Sequence, residues 1–346
     1  MGNVSLMVKV GIVGAGFMGS VHAEVYSKLG VEISGVACFE SDRARELTGQ
    51  YGGQCYPGDL DGLLSDASVD IIDICTPTHL HRDHVLMAAK SGKHILCEKP
   101  IGLTIEDARA IIRATTLAGV KFMVAHCIRF WPHYKIARDI LLGGGLGRPL
   151  AATSQRVSAL PSGLPSNHWG LLPELSGGAA VDMGVHDWDY FTWILGRPTK
   201  VQAVSQKSPK GGGEHIYALI EHISGSRSCI EISSGLIPAS YPFTMGFRVI
   251  CEDGVLELSS GNLTMYRGNE APEVLEVEQV DGYYREIEYF LDCVRRDREP
   301  TIVTPQDAEM ALQIALTVKE AANTGQIIEF PNSAGQADLN PAQGGW

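Results

Sequence analysis

The run Val8-Lys9-Val10-Gly11-Ile12-Val13-Gly14-Ala15-Gly16-Phe17-Met18-Gly19 decides the fold. Its first half, Val8–Val13, is a short apolar stretch with the length of a buried strand. Its second half has the G-x-G-x-x-G form, and an apolar helical pattern over Met18–Leu29 follows at once. Alone the glycine pattern is weak, but between a strand and a helix it reads as a dinucleotide-binding turn. Gly14 permits the tight turn, Gly16 lets a pyrophosphate approach the backbone, and Gly19 lets helix and strand pack closely. The free N–H groups and partial positive charge of the helix N-terminus hold such phosphates without a basic patch.

Outward from this turn, short apolar runs alternate with helical patterns. Strands are expected at Glu32–Cys38, Asp70–Cys75, His94–Cys97 and Lys121–Ala125. Helices are expected at Asp42–Tyr51, His81–Ser91 and Ile105–Ala118, the last opened by a Thr104-x-x-Asp107 capping box. Strand–helix alternation implies a parallel sheet covered on both faces, a doubly wound α/β pattern.

After about residue 130 the texture changes. A helix is expected at Tyr134–Leu142, a loop over Leu160–Leu175 and one long helix over Ala179–Leu195. Strands are expected at Leu150–Val157, Lys200–Ser205, Ile216–Ile223, Ser228–Ser234, Phe247–Cys251, Val255–Leu258, Leu263–Tyr266 and Val274–Val277. The acidic stretch Glu270–Glu278 reads as a strand with a solvated face. Several of these runs alternate apolar and polar, as a half-buried antiparallel sheet requires. Helices at Tyr284–Arg296 and Gln306–Asn323 close the chain. At roughly 100–200 residues per domain, 346 residues suggest two. We place a dinucleotide-binding domain at 1–130, a second α/β domain at 131–330 and a mobile polar tail at 331–346.

Charge narrows the partners. With 28 Lys+Arg against 40 Asp+Glu, the formal net charge is −12. That argues against nucleic acid or an anionic membrane surface. No apolar run reaches the roughly 18–20 residues that cross a bilayer, and the start lacks a signal-peptide pattern. The eight cysteines stand singly, without a Cys-x-x-Cys pair, and read as packing residues in a reducing compartment. The expectation is a soluble, cytoplasmic protein. His79, His81 and His84 resemble a metal cluster by spacing, but they do not share one helix face, so no metal is expected.

Cofactor choice turns on one position. The fingerprint calls for an acid at the end of the second strand, about 20 residues past the glycines, to bind the ribose hydroxyls. In Val36-Ala37-Cys38-Phe39-Glu40 that position is Cys38, with Glu40 two residues beyond. No Arg or Lys occurs before Arg43 to meet a 2′-phosphate. NAD is favoured, and NADP stays open.

Two further constellations carry chemistry. The run Gly92-Lys93-His94-Ile95-Leu96-Cys97-Glu98-Lys99-Pro100 puts a lysine at the carboxyl end of a strand, where open α/β sheets bind ligands. In Gly177-Gly178-Ala179-Ala180-Val181-Asp182-Met183-Gly184-Val185-His186, Asp182 and His186 are four apart on the expected helix, hence on one face and adjacent. With the glycine turn and Cys75-Thr76-Pro77 with His81, these motifs resemble the glucose–fructose oxidoreductase / inositol dehydrogenase (Gfo/Idh/MocA) family over about residues 6–330. Trp169, followed by Pro173-Glu174, is similar to the family's approach to the catalytic helix.

The resemblance implies a Rossmann domain followed by an α/β domain with a large, mostly antiparallel sheet. That sheet carries the substrate pocket on one face and often an oligomer contact, a homodimer or homotetramer, on the other. It places Lys99, Asp182 and His186 at the chemistry, with Asp182 and His186 also touching substrate beside Arg129 and Trp169. Gly14, Gly16, Phe17 and Met18 would line the pyrophosphate turn, and Cys38 would lie at the ribose. Thr76, Pro77, His81, Glu98 and Lys99 would hold the rest of the cofactor. Cys38 in place of the usual Asp and Thr78 in place of a common Asn are departures. The implied activity is hydride transfer between NAD(P) and a secondary hydroxyl of a sugar, sugar derivative or cyclic polyol. The alternatives are a glycosidase using NAD for transient oxidation and elimination, or a non-catalytic dinucleotide sensor.

Overall fold

In the computed structural model, which describes residues 8–160, 164–209 and 213–330, the apolar stretch before the glycine turn is a strand, Lys9–Val13 (β1). The helix after it is Phe17–Lys28 (α1). Glu32–Cys38 (β2), Ser41–Tyr51 (α2), Gln54–Pro57 (β3), Leu60–Ser65 (α3), Ile71–Ile74 (β4), His81–Lys90 (α4), His94–Glu98 (β5), Ile105–Ala118 (α5) and Phe122–Ala125 (β6) follow. The six strands are all parallel in the order β3-β2-β1-β4-β5-β6. The order reverses between β1 and β4, so the carboxyl ends of these strands frame the crevice where such sheets bind ligands.

Burial explains the sheet. Every residue of β4 and β6 is buried, as a strand covered on both faces requires. The expected capping box is present: Thr104 Oγ1 accepts from the Asp107 N–H at 3.1 Å and opens α5. Sequence patterning missed β3 and α3. β3 is a four-residue edge strand with one buried side chain, too short and too polar to show a period.

The later part of the chain forms Pro132–Leu142 (α6), Pro149–Ser158 (β7), Pro173–Ser176 (α7), Ala179–Asp182 (α8), Val185–Leu195 (α9), Pro198–Lys207 (β8), Glu214–His222 (β9), Arg227–Ser234 (β10), Thr244–Cys251 (β11), Val255–Ser259 (β12), Asn262–Tyr266 (β13) and Glu273–Val274 (β14). Gly282–Arg295 (α10), Pro305–Thr324 (α11) and Ile328–Glu329 (β15) complete it. The nine-stranded sheet runs β14-β13-β12-β11-β7-β10-β9-β8-β15. Among the described residues only β7 and β10 pair in parallel.

Several expectations are corrected. The helix over Ala179–Leu195 is broken at Met183-Gly184, and the N–H of Gly184 reaches back five residues to the Ala179 carbonyl. Trp188 fills the break and donates from Nε1 to the Ala180 carbonyl at 2.8 Å. A Cβ on residue 184 would lie 2.6 Å from that indole nitrogen. Asp182 and His186 therefore lie on two different helices, not four apart on one helix face as expected. The acidic stretch Glu270–Glu278 is strand only at Glu273–Val274. The loop over Leu160–Leu175 carries a 3-10 turn at Trp169–Leu171 and the start of α7.

The chain forms two compact units. One takes the chain up to Trp131 together with Val280–Glu309; the other takes Pro132–Gln279 and resumes at Met310. Val280–Glu309 thus leaves the second domain expected from the sequence. α10 is the physical cause: its apolar stripe Ile287, Phe290 and Leu291 shares one core with Val10, Ile12, Ala23 and Tyr26. The tail expected at 331–346 lies outside the described residues. Among the described residues no helix is long and apolar enough to cross a membrane.

Candidate active site

The glycine turn has the shape its chemistry needs. Gly14 adopts φ +100°, and a Cβ there would meet the Cys75 carbonyl oxygen at 2.7 Å. Its N–H donates to the Ala37 carbonyl at 2.8 Å, which ties the turn to β2. Gly19 packs so closely that a Cβ would fall on the Gly14 carbonyl oxygen. Gly16 differs, because nothing lies within 4 Å of its Cβ direction. It is the N-cap of α1 and makes no side-chain cap, so the turn leaves open approach at a helix N-terminus. This fits a dinucleotide pyrophosphate. Phe17 is 78% exposed beside it, and Met18 is half-buried.

The ends of β4 and β5 meet through His81. Its Nε2 lies 2.8 Å from the Thr76 carbonyl and its Nδ1 2.8 Å from the Pro100 carbonyl. The ring is buried, and burial lowers its pKa against the pull of those two carbonyls. Expected as a cofactor ligand, His81 has both nitrogens spent on backbone. Its place is to brace Thr76-Pro77 against Lys99-Pro100, whose peptide is cis. His84 Nδ1 lies 3.1 Å from Thr76 Oγ1, and burial pushes its pKa down to about 4. Glu98 is buried, and its Oε2 accepts the Lys99 N–H at 3.0 Å. Lys99 itself is half-buried.

Cys38 closes β2, half-buried, and its carbonyl accepts from Gly58 at 2.9 Å. Two residues on, Glu40 caps α2 and pairs with Arg43 Nε at 2.7 Å. The first cation after β2 is therefore already drawn to a carboxylate.

Arg129 does not sit as a substrate ligand would. It is 3% exposed, donates to the Ile302 carbonyl at 2.7 Å and lies 3.3 Å from Asp307. Burial is the largest influence on Asp307 and opposes its charge, but the guanidinium and the hydrogen bonds from Thr304 together outweigh it and lower the carboxyl pKa. The expected substrate role gives way to a structural one, anchoring the segment that follows α10.

In the other unit, Asp182 ends α8 and His186 lies in the first turn of α9, both half-buried. Two contacts position them. Asp187, beside His186, is buried and binds Arg156 of β7 at 2.6 Å. Lys319 of α11 donates to the Gly177 carbonyl at 2.7 Å and holds the double glycine that leads into α8. Trp169 is half-buried in its 3-10 turn, its ring 5.8 Å from that of His168. Sequence reading missed Arg156, Asp187 and Lys319. An Asp directly before Trp188 in an apolar helix was the available signal for the buried pair.

Among the described residues, one set of three donors lies close enough for a metal: His22, Asp73 and Cys75. Tetrahedral ligands about 2.0–2.1 Å from zinc stand about 3.3 Å apart. His22 Nδ1 and Asp73 Oδ2 are 2.8 Å apart, which is a hydrogen bond and too close for two such ligands.

Comparison with known proteins agrees with this arrangement. Residues 8–126 match the profile described as "Oxidoreductase family, NAD-binding Rossmann fold", and residues 134–257 match the "GFO/IDH/MocA C-terminal domain". The chain is 31% identical over 288 residues to a 1,5-anhydro-D-fructose reductase of Ensifer adhaerens, covering 78% of this chain and 83% of that protein. It is 30% identical over 288 residues to an inositol 2-dehydrogenase of Rhizobium meliloti (strain 1021), covering 81% of each. In fold it is similar to a levoglucosan dehydrogenase solved with NADH and levoglucosan. That match has a TM-score of 0.83 and 20% identity, over 94% of this chain and 99% of the other.

Proposed function

This chain belongs to the Gfo/Idh/MocA oxidoreductase family, and on that premise we propose that it oxidises or reduces a secondary hydroxyl of a sugar, sugar derivative or cyclic polyol with NAD. The observation that carries this reading is the turn at Gly14–Gly19, open above Gly16 at the N-terminus of α1. The nicotinamide of a bound dinucleotide supplies the hydride acceptor. His186 takes the hydroxyl proton during oxidation and returns it during reduction, a task suited to an imidazole. The Lys99 ammonium is suited to stabilise negative charge developing on a substrate oxygen. Asp182 orients a neighbouring hydroxyl, and Trp169 offers an apolar face to the substrate.

Gly14, Gly16, Phe17, Met18, Thr76, Pro77 and Glu98 hold the cofactor in this reading. NAD is preferred over NADP because the first cation after β2, Arg43, is paired with Glu40. The outer face of the nine-stranded sheet exposes Val204, Tyr217 and Leu219, which supports a second copy of the chain as its cover, in a homodimer or homotetramer. Eight free cysteines support a reducing compartment, the cytoplasm.

A screen of inositols, aldoses and glycosides with NAD and NADP, followed by the absorbance of the reduced nicotinamide, tests the reading. Stoichiometric growth of reduced cofactor with a free polyol or aldose is expected. Its absence with every such compound would overturn it.

A further inference from the structure

Beneath the ends of β4 and β5, the first unit buries ionisable side chains that the roles above leave unused. His22 of α1 and Asp73 of β4 are fully buried, with His22 Nδ1 2.8 Å from Asp73 Oδ2. The Cys75 thiol donates to the other oxygen of Asp73 at 3.4 Å. On the far side of the ring, His22 Nε2 lies 3.3 Å from Oε1 of Glu98. The second oxygen of Glu98 accepts the Lys99 N–H at 3.0 Å. One line of polar groups, Asp73 to His22 to Glu98 to the Lys99 backbone, therefore joins the helix after the glycine turn to the strand end that carries Lys99.

The Nδ1 contact is a hydrogen bond, whereas Nε2 faces Glu98 at ion-pair distance without a hydrogen bond, and a ring protonated at both nitrogens pairs its charge with both carboxylates. Burial is the largest single influence and works against that charge, but Asp73 and Cys75 together outweigh it and hold His22 well above its ordinary range. Among the described residues, Glu286, Tyr26, Tyr283 and Cys75 also face the cluster. Burial, then Glu98, push the Glu286 carboxyl of α10 well above the carboxylate range. Burial likewise raises Tyr26, Tyr283 and the Cys75 thiol, leaving them neutral.

We propose that His22 is a positioning residue, a two-sided clamp that fixes the Glu98 carboxylate and, through it, the Lys99 backbone at the mouth of the cofactor crevice. The clamp rests on the dinucleotide reading above and adds to it the group that holds Glu98 still. His22 touches neither cofactor nor substrate in this role.

A pair of variants separates positioning from mere stability. His22→Gln leaves the Asp73 and Glu98 carboxylates without their cation and is expected to lower Tm. Adding Asp73→Asn removes one of the two stranded charges and is expected to recover part of that loss. In both variants the Lys99 amide of the cofactor-free protein is expected to exchange with solvent about tenfold faster, and the Kd for NAD to rise about tenfold. Recovery of exchange and affinity along with Tm in the double variant would show a structural residue only and sink the clamp. Should neither variant fold, the nitrogen-15 spectrum of His22 in the unaltered protein decides. Two protonated ring nitrogens at neutral pH are expected, and a neutral ring overturns the proposal. If the unaltered protein binds neither NAD nor NADP, the dinucleotide reading fails, while Lys99 exchange still judges the clamp.

Discussion

Arg156 Nε and Asp187 Oδ2 meet at 2.6 Å inside the second unit, each residue about 4% exposed. The pair ties β7 to the first turn of α9, one residue past His186. Breaking a buried pair from one side strands a charge and costs about 3–5 kcal/mol. Arg156→Met is therefore expected to lower unfolding free energy by that amount in urea, and Arg156→Met with Asp187→Asn to recover part of it. A single variant within about 0.5 kcal/mol of the parent, the scatter of ordinary surface changes, would mean that the pair does not hold the helix.

The glycine turn offers a contrast between two substitutions of the same size. Gly16→Ala places its methyl in open space, so Tm should stay within a degree or two while the Kd for NAD rises tenfold or more, because the methyl stands where phosphate must approach. Gly19→Ala drives its methyl into the Gly14 carbonyl oxygen, so Tm itself should fall. Calorimetric titration beside thermal unfolding reads both. Equal losses of stability in the two variants would refute the distinction.

Much of the first unit was legible because parallel strands and their helices carry strong periods. β2 and α5 were bounded from sequence to the residue. β3 and α3 escaped because a four-residue edge strand and a six-residue helix carry almost no period. The break at Met183-Gly184 escaped for a different reason. Its cause is tertiary, the Trp188 indole seated over Gly184, and residue spacing alone cannot show it. Arg129 was misread because a lone Arg near a pocket motif carries no sign of its partners at Ile302 and Asp307, more than 170 residues away. His22 and Asp73 did leave a trace. A His in the buried stripe Gly19, His22, Ala23, Tyr26 and an Asp inside Ile71-Ile72-Asp73-Ile74 each demand a buried partner.

Acid should destabilise the protein through buried neutral histidines. His222 is buried, with Nδ1 2.9 Å from the Gly196 carbonyl and Nε2 2.9 Å from Ser228 Oγ, and burial pushes its pKa down to about 4. The unfolded chain accepts a proton there that the native state refuses. Its contribution is thus full above pH 6.5 and is lost as pH falls toward about 4, with a slope near 1.4 kcal/mol per pH unit. His84 has the same sign and window. His22 has the opposite sign: raised above 6.5, its contribution is full below that value and is lost as pH rises through its folded pKa. Urea unfolding between pH 6.5 and 4.5 checks this, and His222→Gln should remove about one proton's worth of slope. An unchanged slope would mean that His222 is charged in the native state.

Cofactor preference should respond to the end of β2. Cys38 stands where a ribose-binding acid is usual, and Glu40 beyond it is engaged by Arg43. Calorimetry is expected to show tighter binding of NAD than NADP. Cys38→Asp should widen that preference about tenfold by adding a carboxylate that repels a 2′-phosphate. Tighter binding of NADP by the unaltered protein would mean that the half-buried thiol marks a 2′-phosphate pocket.

His186 is the residue on which the chemistry should depend most. It lies in the first turn of α9, half-buried, on a turn anchored by its neighbour Asp187. Its removal should therefore leave the fold and the cofactor-binding unit nearly untouched. The loss expected on His186→Ala falls on proton transfer and is about 10²–10⁴ in turnover, with the Kd for NAD within about twofold of the parent. The Arg156→Met variant provides the control, because it displaces the same turn by weakening its anchor and should lose stability together with activity. If His186→Ala turned over normally, the proton would have to leave by another group; Lys99 would then be the residue to vary next.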